Sequence, residues 1–329
     1  MAPLIPVPGL PVRLVEERDN PTSAYYLLPA LAACGARVTR HGLDDPPSPR
    51  DLAGNLVVVN RYLSEPWRRA LATARPRLAG LAYFMDDDLF DPAASRGLPW
   101  RYRWKLWRRA TRYRSWLAGV GSALWVSTPA LAAKYAAWSP RLVAPAALAE
   151  ADDRTAGPAG LVFYHGSAAH RAEIAWLRPV LAAVLGSAPG LEFEIMGGRD
   201  VARLYRGLPR VSVVHPMAWA SYRLFCARPG RLVGLAPQLP GAFNAGRSHT
   251  KFFDITRAGA VGVYAAGTAC AAVVEHGLSG LVVPMEPAAW AEAIVSLAGD
   301  PARREAMLAR ARDTAARLSR EARAGWTRG

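Results

Sequence analysis

Cysteine is scarce in this chain of 329 residues: Cys34, Cys226 and Cys270 stand far apart and form no CxxC pair. That spacing excludes a disulfide scaffold or a zinc module and suits a reducing compartment. Acidic residues are also in deficit, with 26 Asp+Glu against 41 Lys+Arg and a formal net charge of +15. Long apolar runs are missing too. One long uncharged stretch, Ala258 to Val274, is mostly Ala and Gly and falls short of the roughly 20 apolar residues of a spanning helix. It reads as a buried strand, a loop and a helix start. Met1 to Leu14 is apolar but holds four prolines and no basic n-region, which does not read as a signal peptide. The expected location is therefore the cytoplasm. A disordered polycation is excluded, because 51% of the residues are hydrophobic.

What is present is a regular alternation of short apolar runs with longer amphipathic segments, the pattern of βα units around parallel sheets. In the first half, strands are expected at Val12 to Glu16, Ala36 to Arg40, Leu56 to Asn60, Leu78 to Met85 and Ala123 to Ser127. Helices are expected at Ser23 to Ala33, Glu65 to Ala74, Trp100 to Leu117 and Pro129 to Ala137. The Gly-, Pro- and Ala-rich stretch Ala149 to Gly160 suits a linker. Strands at Leu161 to His165, Leu191 to Met196, Val211 to Val214, Arg231 to Leu235, Val261 to Tyr264 and Leu281 to Val283 follow. Helices include Arg171 to Leu185, Ala288 to Leu297 and Pro301 to Leu318. The expectation is two doubly wound α/β domains in tandem, 1–152 and 153–329, with the last helix returning to the first. Ligands of such folds bind at the carboxyl ends of the strands, here in an interdomain cleft.

The second half carries a succession of motifs. FNAGRSHTKFFDITRAG spans Phe243 to Gly259 and is followed by the strand VGVY. VEHGLSGLVVP spans Val274 to Pro284, and an AAWAEAIVSLAGDPARREAMLARAR tail ends the series. With YHGS at Tyr164 to Ser167 and the following AAHRAEIAWL, this succession resembles the carboxyl-terminal domain of GT-B glycosyltransferases of the retaining, group-1 kind. The resemblance covers roughly residues 160 to 315. It implies two Rossmann-like domains and transfer of a sugar from a nucleotide-sugar donor, held mainly by the second domain, to a saccharide or lipid-linked acceptor. It also implies no metal and no other cofactor.

Residue by residue, the resemblance places Lys251 and Ser248 at the start of a helix near His249. There a free helix N-terminus and a formal positive charge would stabilise a departing nucleoside diphosphate, with Ser248 as cap. Asp254 takes the place of the second acid of the family's ExxxxxxxE motif, expected at the donor ribose. The first acid is replaced by Gly246, so Asn244, Arg247 or backbone groups would have to substitute. After the first strand of this half, His165, Gly166, Ser167, His170 and Arg171 cluster. A small residue there lets the backbone approach phosphate, and Arg171 with His170 corresponds to the family's diphosphate-neutralising pair. In the first half, Asp86, Asp87 and Asp88 follow a buried strand. Asp86 or Asp87 is assigned to donor or acceptor hydroxyls, with Asp87 counted among the catalytic residues and either acid the candidate general base should the reaction invert, against an alternative in which the acids cap a helix and pair with nearby arginines. Asn20, Thr22 and Ser23 occupy the loop after the first strand, where acceptors commonly meet the donor in the family, though Asn-Pro-Thr-Ser is also an ordinary turn.

The segment WRYRWKLWRRATRYRSWL at Trp100 to Leu117 has seven basic residues and no acid. On one helix, Tyr102, Leu106, Ala110, Tyr113 and Leu117 share a core-facing side. Arg101, Lys105, Arg108, Arg109 and Arg112 form a basic stripe, and Trp100, Trp104 and Trp107 a third ridge. Tryptophan beside basic residues is the composition of an interfacial membrane helix, which would put the protein on the inner face of a membrane with anionic lipid. The alternative is a core helix with solvated arginines. No nucleic-acid-binding motif is present, and no specific nucleic-acid partner is expected. Besides a transferase, two other classes remain open: a sugar-nucleotide epimerase on the same fold, and a noncatalytic GT-B-like binding subunit, which the missing acid at Gly246 suggests.

Overall fold

The computed structural model describes residues 7–148 and 160–327. These residues form two compact units, one of 7–146, 241–248 and 319–327, the other of 147–148, 160–240 and 249–318. The linker and the boundary expected near residue 152 lie outside the described residues. Two short segments of the second half thus belong to the first unit.

In the first unit the chain runs β1 (Pro11–Val15), α1 (Leu28–Ala33, preceded by a π-turn Ser23–Leu27), β2 (Arg37–His41), β3 (Leu56–Asn60) and α2 (Glu65–Ala74). It continues through β4 (Gly80–Met85), α3 (Trp100–Arg109), α4 (Arg114–Gly119), β5 (Ala123–Val126), α5 (Pro129–Lys134) and the two-residue β6 (Arg141–Leu142). All strands pair in parallel in the order β2-β1-β3-β4-β5-β6. β3 and β4 are buried along their whole length, as expected of parallel strands covered on both faces, whereas β2 at the edge is largely exposed and carries Arg37 and Arg40. Because β2 and β3 leave β1 on opposite sides, the topological switch point lies between β1 and β3.

The second unit runs β7 (Leu161–Tyr164), α6 (Arg171–Ser187), β8 (Glu192–Met196), α7 (Arg199–Leu204), β9 (Val211–Val214), α8 (Trp219–Cys226) and β10 (Arg231–Ala236). α9 (Thr250–Arg257), β11 (Val261–Ala265), β12 (Leu281–Val283), α10 (Pro287–Gly299) and α11 (Pro301–Thr327) complete it, the end of α11 belonging to the first unit. Its sheet order, β12-β11-β10-β7-β8-β9, puts the switch point between β7 and β10. α6 seals one face with Ile174, Leu177, Leu181, Val184 and Leu185, a helical stripe at three- and four-residue spacing. Gly234 in β10 lets α9 lie close, since a Cβ there would stand 2.6 Å from the Ile255 side chain.

Three local expectations change. The helix expected over Trp100 to Leu117 breaks at Ala110 (φ −136°), because the Arg109 carbonyl accepts from Leu63 N–H (2.7 Å) and Thr111 Oγ1 donates to Leu89 O (2.9 Å). The apolar side survives the break, with Leu106, Ala110, Tyr113 and Leu117 all buried. After β11 the expected helix start is only a 3-10 turn, Ala271–Val273. The last helix continues past Leu318 to Thr327 because Trp326 is buried edge-on against Trp125 (5.0 Å), with the Arg141 guanidinium 4.3 Å from its ring.

Candidate functional site

At the β1/β3 switch point of the first unit, Glu16 leaves β1 almost fully buried. Its carboxylate accepts from Asn20 Nδ2 (2.8 Å), the Ser23 hydroxyl and Arg40 Nε (2.5 Å). Asn60, the last residue of β3, donates to Ser23 Oγ (2.8 Å). The next residue, Arg61, holds φ = 65°, a left-handed conformation that costs a side-chain-bearing residue about 1 kcal/mol or more. Its N–H donates to Phe84 O (2.9 Å), and its carbonyl accepts from the Tyr83 hydroxyl. So held, the Arg61 guanidinium reaches Asp86 (2.6 Å), Asp87 (3.1 Å) and the Tyr102 hydroxyl (3.2 Å), while Thr22 Oγ1 donates to Asp86 (2.7 Å). Burial raises the Asp86 pKa against the opposing pull of Arg61. Asn60 Oδ1 and Arg61 Nε are buried with no hydrogen-bond partner among the described residues.

The three consecutive acids therefore separate. Asp88 turns away to Lys134 (2.5 Å) and the Tyr135 hydroxyl (2.5 Å), leaving Asp86 and Asp87 with Thr22 at the strand ends. Pairing with arginine is what the alternative reading of this run anticipated, and the partner is Arg61, 25 residues upstream of Asp86 in the chain.

At the β7/β10 switch point of the second unit, the chain leaves β7 through His165, Gly166 and Ser167. Gly166 has no room for a side chain, since a Cβ would stand 2.7 Å from the Tyr164 ring. The Lys251 ammonium, in the first turn of α9, donates to the His165 carbonyl. His170 packs edge-on to Tyr164 (6.2 Å), Ser167 is exposed, and Arg171 is exposed with Asp200 at 3.7 Å. Asp254 is half-buried one turn further along α9.

The His165 ring is not available to a ligand, contrary to its assignment as a donor contact. It is buried, with Nε2 3.0 Å from Glu194 Oε1 and Nδ1 3.2 Å from the Tyr222 hydroxyl. The same Glu194 oxygen accepts from Arg231 Nε (3.0 Å) and Nη2 (2.8 Å). Burial pushes the His165 pKa down. Burial also acts upward on Glu194, but His165 and Arg231 outweigh it and hold that carboxyl below its ordinary value. The neutral imidazole thus donates from Nε2 to the carboxylate and accepts the Tyr222 proton at Nδ1.

Two expectations about the start of α9 are corrected. Ser248 does not cap it: the cap position is His249 with no side-chain bond, and the Ser248 hydroxyl bonds Tyr26 instead. The first-turn amides are also partly engaged. Phe252 N–H donates to His249 O (2.9 Å), and the backbone N–H groups of Phe252 and Lys251 act on the thiol of Cys270, which burial nevertheless pushes up to about 12.

Asn244, Arg247 and Ser248 belong to the first unit rather than the second. A 3-10 turn Asn244–Gly246 lies on α5, where Thr128 Oγ1 donates to Gly246 O (3.2 Å) and Arg247 lies over the Phe243 ring (5.5 Å). A Cβ at Gly246 would meet Leu131 Cδ2 at 3.2 Å and Asp88 N at 3.6 Å. The position of the missing acid is thus packed tightly against a helix.

His249 yields a pH prediction. Burial lowers its pKa from 6.5 to about 4, and its Nε2 has no partner among the described residues. A folded-state pKa below the unfolded value means the unfolded chain binds the proton first. The stability is present above pH 6.5 and is lost as pH falls towards 4, by about 3 kcal/mol in total. Denaturant melts at pH 7 and pH 4.5 should show the wild type losing more stability than His249→Gln over that interval.

On α3, Trp100, Trp104 and Trp107 are 70%, 53% and 52% exposed. Arg101 stacks on Trp100 (5.5 Å) and Arg108 on Trp104 (5.2 Å), while Lys105 pairs with Glu17 (2.7 Å). These residues and Arg109 line a groove of about 620 Å³. No helix among the described residues is long and apolar enough to cross a membrane, and none of them form a cluster of three metal-ligating side chains.

Sequence reading missed Asn60, Arg61, Glu194 and Arg231. The only available signal was an arginine directly after a buried strand and a lone acid inside another, neither of which announces a partner.

No protein-family model and no curated protein matches the sequence. Solved structures share its fold. Sucrose-phosphate synthase from Thermosynechococcus elongatus is 15% identical, with 96% of this chain and 97% of that one covered at a TM-score of 0.63. HepE of Anabaena, solved in complex with UDP and glucose, is 13% identical (95% and 98% covered, TM-score 0.58). A glycosyltransferase from Rickettsia africae is 8% identical (97% and 98% covered, TM-score 0.60). With its two six-stranded parallel sheets flanked by helices, this chain has the GT-B fold of glycosyltransferases.

Proposed function

We propose that this protein is a glycosyltransferase that moves a sugar from a nucleotide-sugar donor to a hydroxyl of an envelope polysaccharide, glycolipid or related acceptor, with retention of configuration. The observation that carries the reading is Lys251: a cation in the first turn of α9, bonded to the carbonyl at the end of β7, at the switch point where doubly wound folds bind ligands. The second unit holds the donor, with Lys251 and Arg171 stabilising the diphosphate as it leaves, Gly166, Ser167 and His170 lining its path, and Asp254 taking the ribose. The first unit holds the acceptor near Thr22, Asn20, Asp86 and Asp87. Both aspartates are already bonded to Arg61, which supports a role in positioning rather than as a base and agrees with a front-face reaction in which the leaving phosphate takes the acceptor proton.

We further propose that the exposed face of α3 rests on an anionic membrane surface from the cytoplasmic side. Three exposed tryptophans flanked by stacked arginines support this. Changing Arg101, Arg108 and the likewise exposed Arg103 of α3 together to glutamine should weaken partition onto phosphatidylserine vesicles by about 100-fold, at roughly 1 kcal/mol per basic residue. Equal flotation of variant and wild type would refute it.

A second reading, a noncatalytic binding subunit, is favoured by Gly246, where the family acid is missing and its site is filled. A thermal-shift screen of UDP-, GDP-, ADP- and CMP-sugars, followed by NMR of the product anomer, tests both. Stabilisation by one nucleotide series with a retained-anomer product is expected. Stabilisation without turnover over a broad acceptor panel would favour the binding subunit, and a flat screen would overturn the donor site.

A further inference from the structure

The second unit buries three ionisable side chains around one oxygen. Glu194 Oε1 from β8 faces His165 Nε2 (3.0 Å) and both Nε and Nη2 of Arg231 from β10 (3.0 and 2.8 Å), and each of the three residues is less than 9% exposed. Arg231 is tied further to the α8 end by Nη1 donating to Phe225 O (3.1 Å) and Arg228 O (3.2 Å). On the other side of the imidazole stands the Tyr222 hydroxyl (3.2 Å), with Cys226 Sγ 3.8 Å from the same nitrogen. Phe163 and Phe225 wall the ring at centroid distances of 4.9 and 5.8 Å.

An interior ion pair of this kind is weak support for stability, because desolvation consumes most of its Coulomb energy and an apolar replacement is often no worse. What it supplies is geometry. With both ring nitrogens bonded, the His165 side chain has one rotamer, and its peptide unit is fixed with it. That peptide carries the carbonyl to which the Lys251 ammonium donates.

We infer that Arg231, Glu194, His165 and Tyr222 form a positioning chain that sets the Lys251 ammonium in the nucleoside-diphosphate subsite. The inference rests on the donor-binding reading above. None of the four side chains touches the donor; they act through the His165 carbonyl. The chain joins β8, β10 and α8 to the loop after β7, so a change in any of these elements reaches Lys251 through one carbonyl.

The test is a double-mutant cycle read in binding affinity. UDP, GDP and ADP are titrated calorimetrically into the full chain, and the one that binds is used throughout. Tyr222→Phe keeps the ring and removes the hydroxyl that faces Nδ1 and Cys226, and Glu194→Gln keeps the shape and removes the charge; thermal melts identify variants that fold. Each is expected to weaken binding by about tenfold when Lys251 is present and by less than about twofold in a Lys251→Met background, since groups acting through one residue are not additive. The same weakening in both backgrounds, or no weakening by Tyr222→Phe and Glu194→Gln in folded protein, would overturn the positioning chain alone. A wild type that binds none of the three nucleotides would overturn the donor reading, and this inference with it.

Discussion

Lys251→Met is expected to lower sugar transfer by about 10² to 10³-fold, the cost of removing one preorganised electrostatic contact to developing charge. Methionine keeps the length and most of the packing of the side chain. The folded state loses the charged hydrogen bond to the His165 carbonyl, a change of about 1.5 to 3 kcal/mol, and the ammonium's place over the Tyr164 ring (5.7 Å). The loss should appear in turnover more than in donor KM if the cation meets the diphosphate mainly as it departs, and equally in binding if it grips the ground state. Arginine at this position would restore the charge but not the geometry, because a planar fork replaces a compact ammonium. Steady-state kinetics on folded variants decides it: turnover within threefold of wild type for Lys251→Met would remove this residue from the reaction.

Arg61→Met should destabilise the protein by about 3 to 5 kcal/mol, the cost of breaking a largely buried ion pair and leaving its partner charged. Two carboxylates would remain, since Asp86 and Asp87 both take their cation from this side chain, at 2.6 and 3.1 Å, with 14% and 18% of their side chains exposed. The loss has a pH signature whose sign can be worked out. Burial already raises the Asp86 pKa, and deleting Arg61 removes the cation that opposes it. A carboxyl with a folded-state pKa above its unfolded value favours folding below the unfolded pKa, and that contribution disappears as pH rises through the folded value. The deficit of the variant should therefore be larger at pH 8 than at pH 4.5 in urea titrations. Arg61→Gly serves as a control, because it deletes the same ion pairs while relieving the left-handed strain at φ = 65°. It should fall short of Arg61→Met in its cost by about 1 kcal/mol, and an equal or larger cost would argue that the strain is not stored there.

Much of the architecture could be read from local patterns. β3, α2, β9 and β12 fall on the expected residues, because a short apolar run between turn residues, or a Ser-capped amphipathic segment, has one stable outcome in a parallel α/β layer. The buried side of the basic segment also came through, with Leu106, Tyr113 and Leu117 inside and the three tryptophans outside. The break at Ala110 did not. Leu63 N–H captures the Arg109 carbonyl from 46 positions away, and no local propensity encodes that bond.

The same division runs through the candidate sites. Lys251, Gly166, Thr22, Asp86 and Asp87 stand out by residue type and by position after a strand or at a helix start, and these features are local. Asn244, Arg247 and Ser248 were assigned to the donor domain by their place in the chain, yet they pack with the first unit. The His165 imidazole looked like a ligand contact until Glu194, Tyr222 and Arg231 enclosed it. Arg61 looked like an ordinary residue after a strand until its positive φ aimed it at Asp86 and Asp87.

Composition and periodicity were therefore enough for the α/β class, the six strands of the second half and the basic, tryptophan-bearing face, because these depend on spacings within a few residues; the two-residue β6 (Arg141–Leu142) is too short to leave such a pattern. The partners of each charge, the segments that cross from one unit to the other and the enclosure of His165 depend on strand order. Strand order brings together residues such as His165, Glu194 and Arg231, 29 and 37 positions apart, and packing energy over the whole sheet sets it.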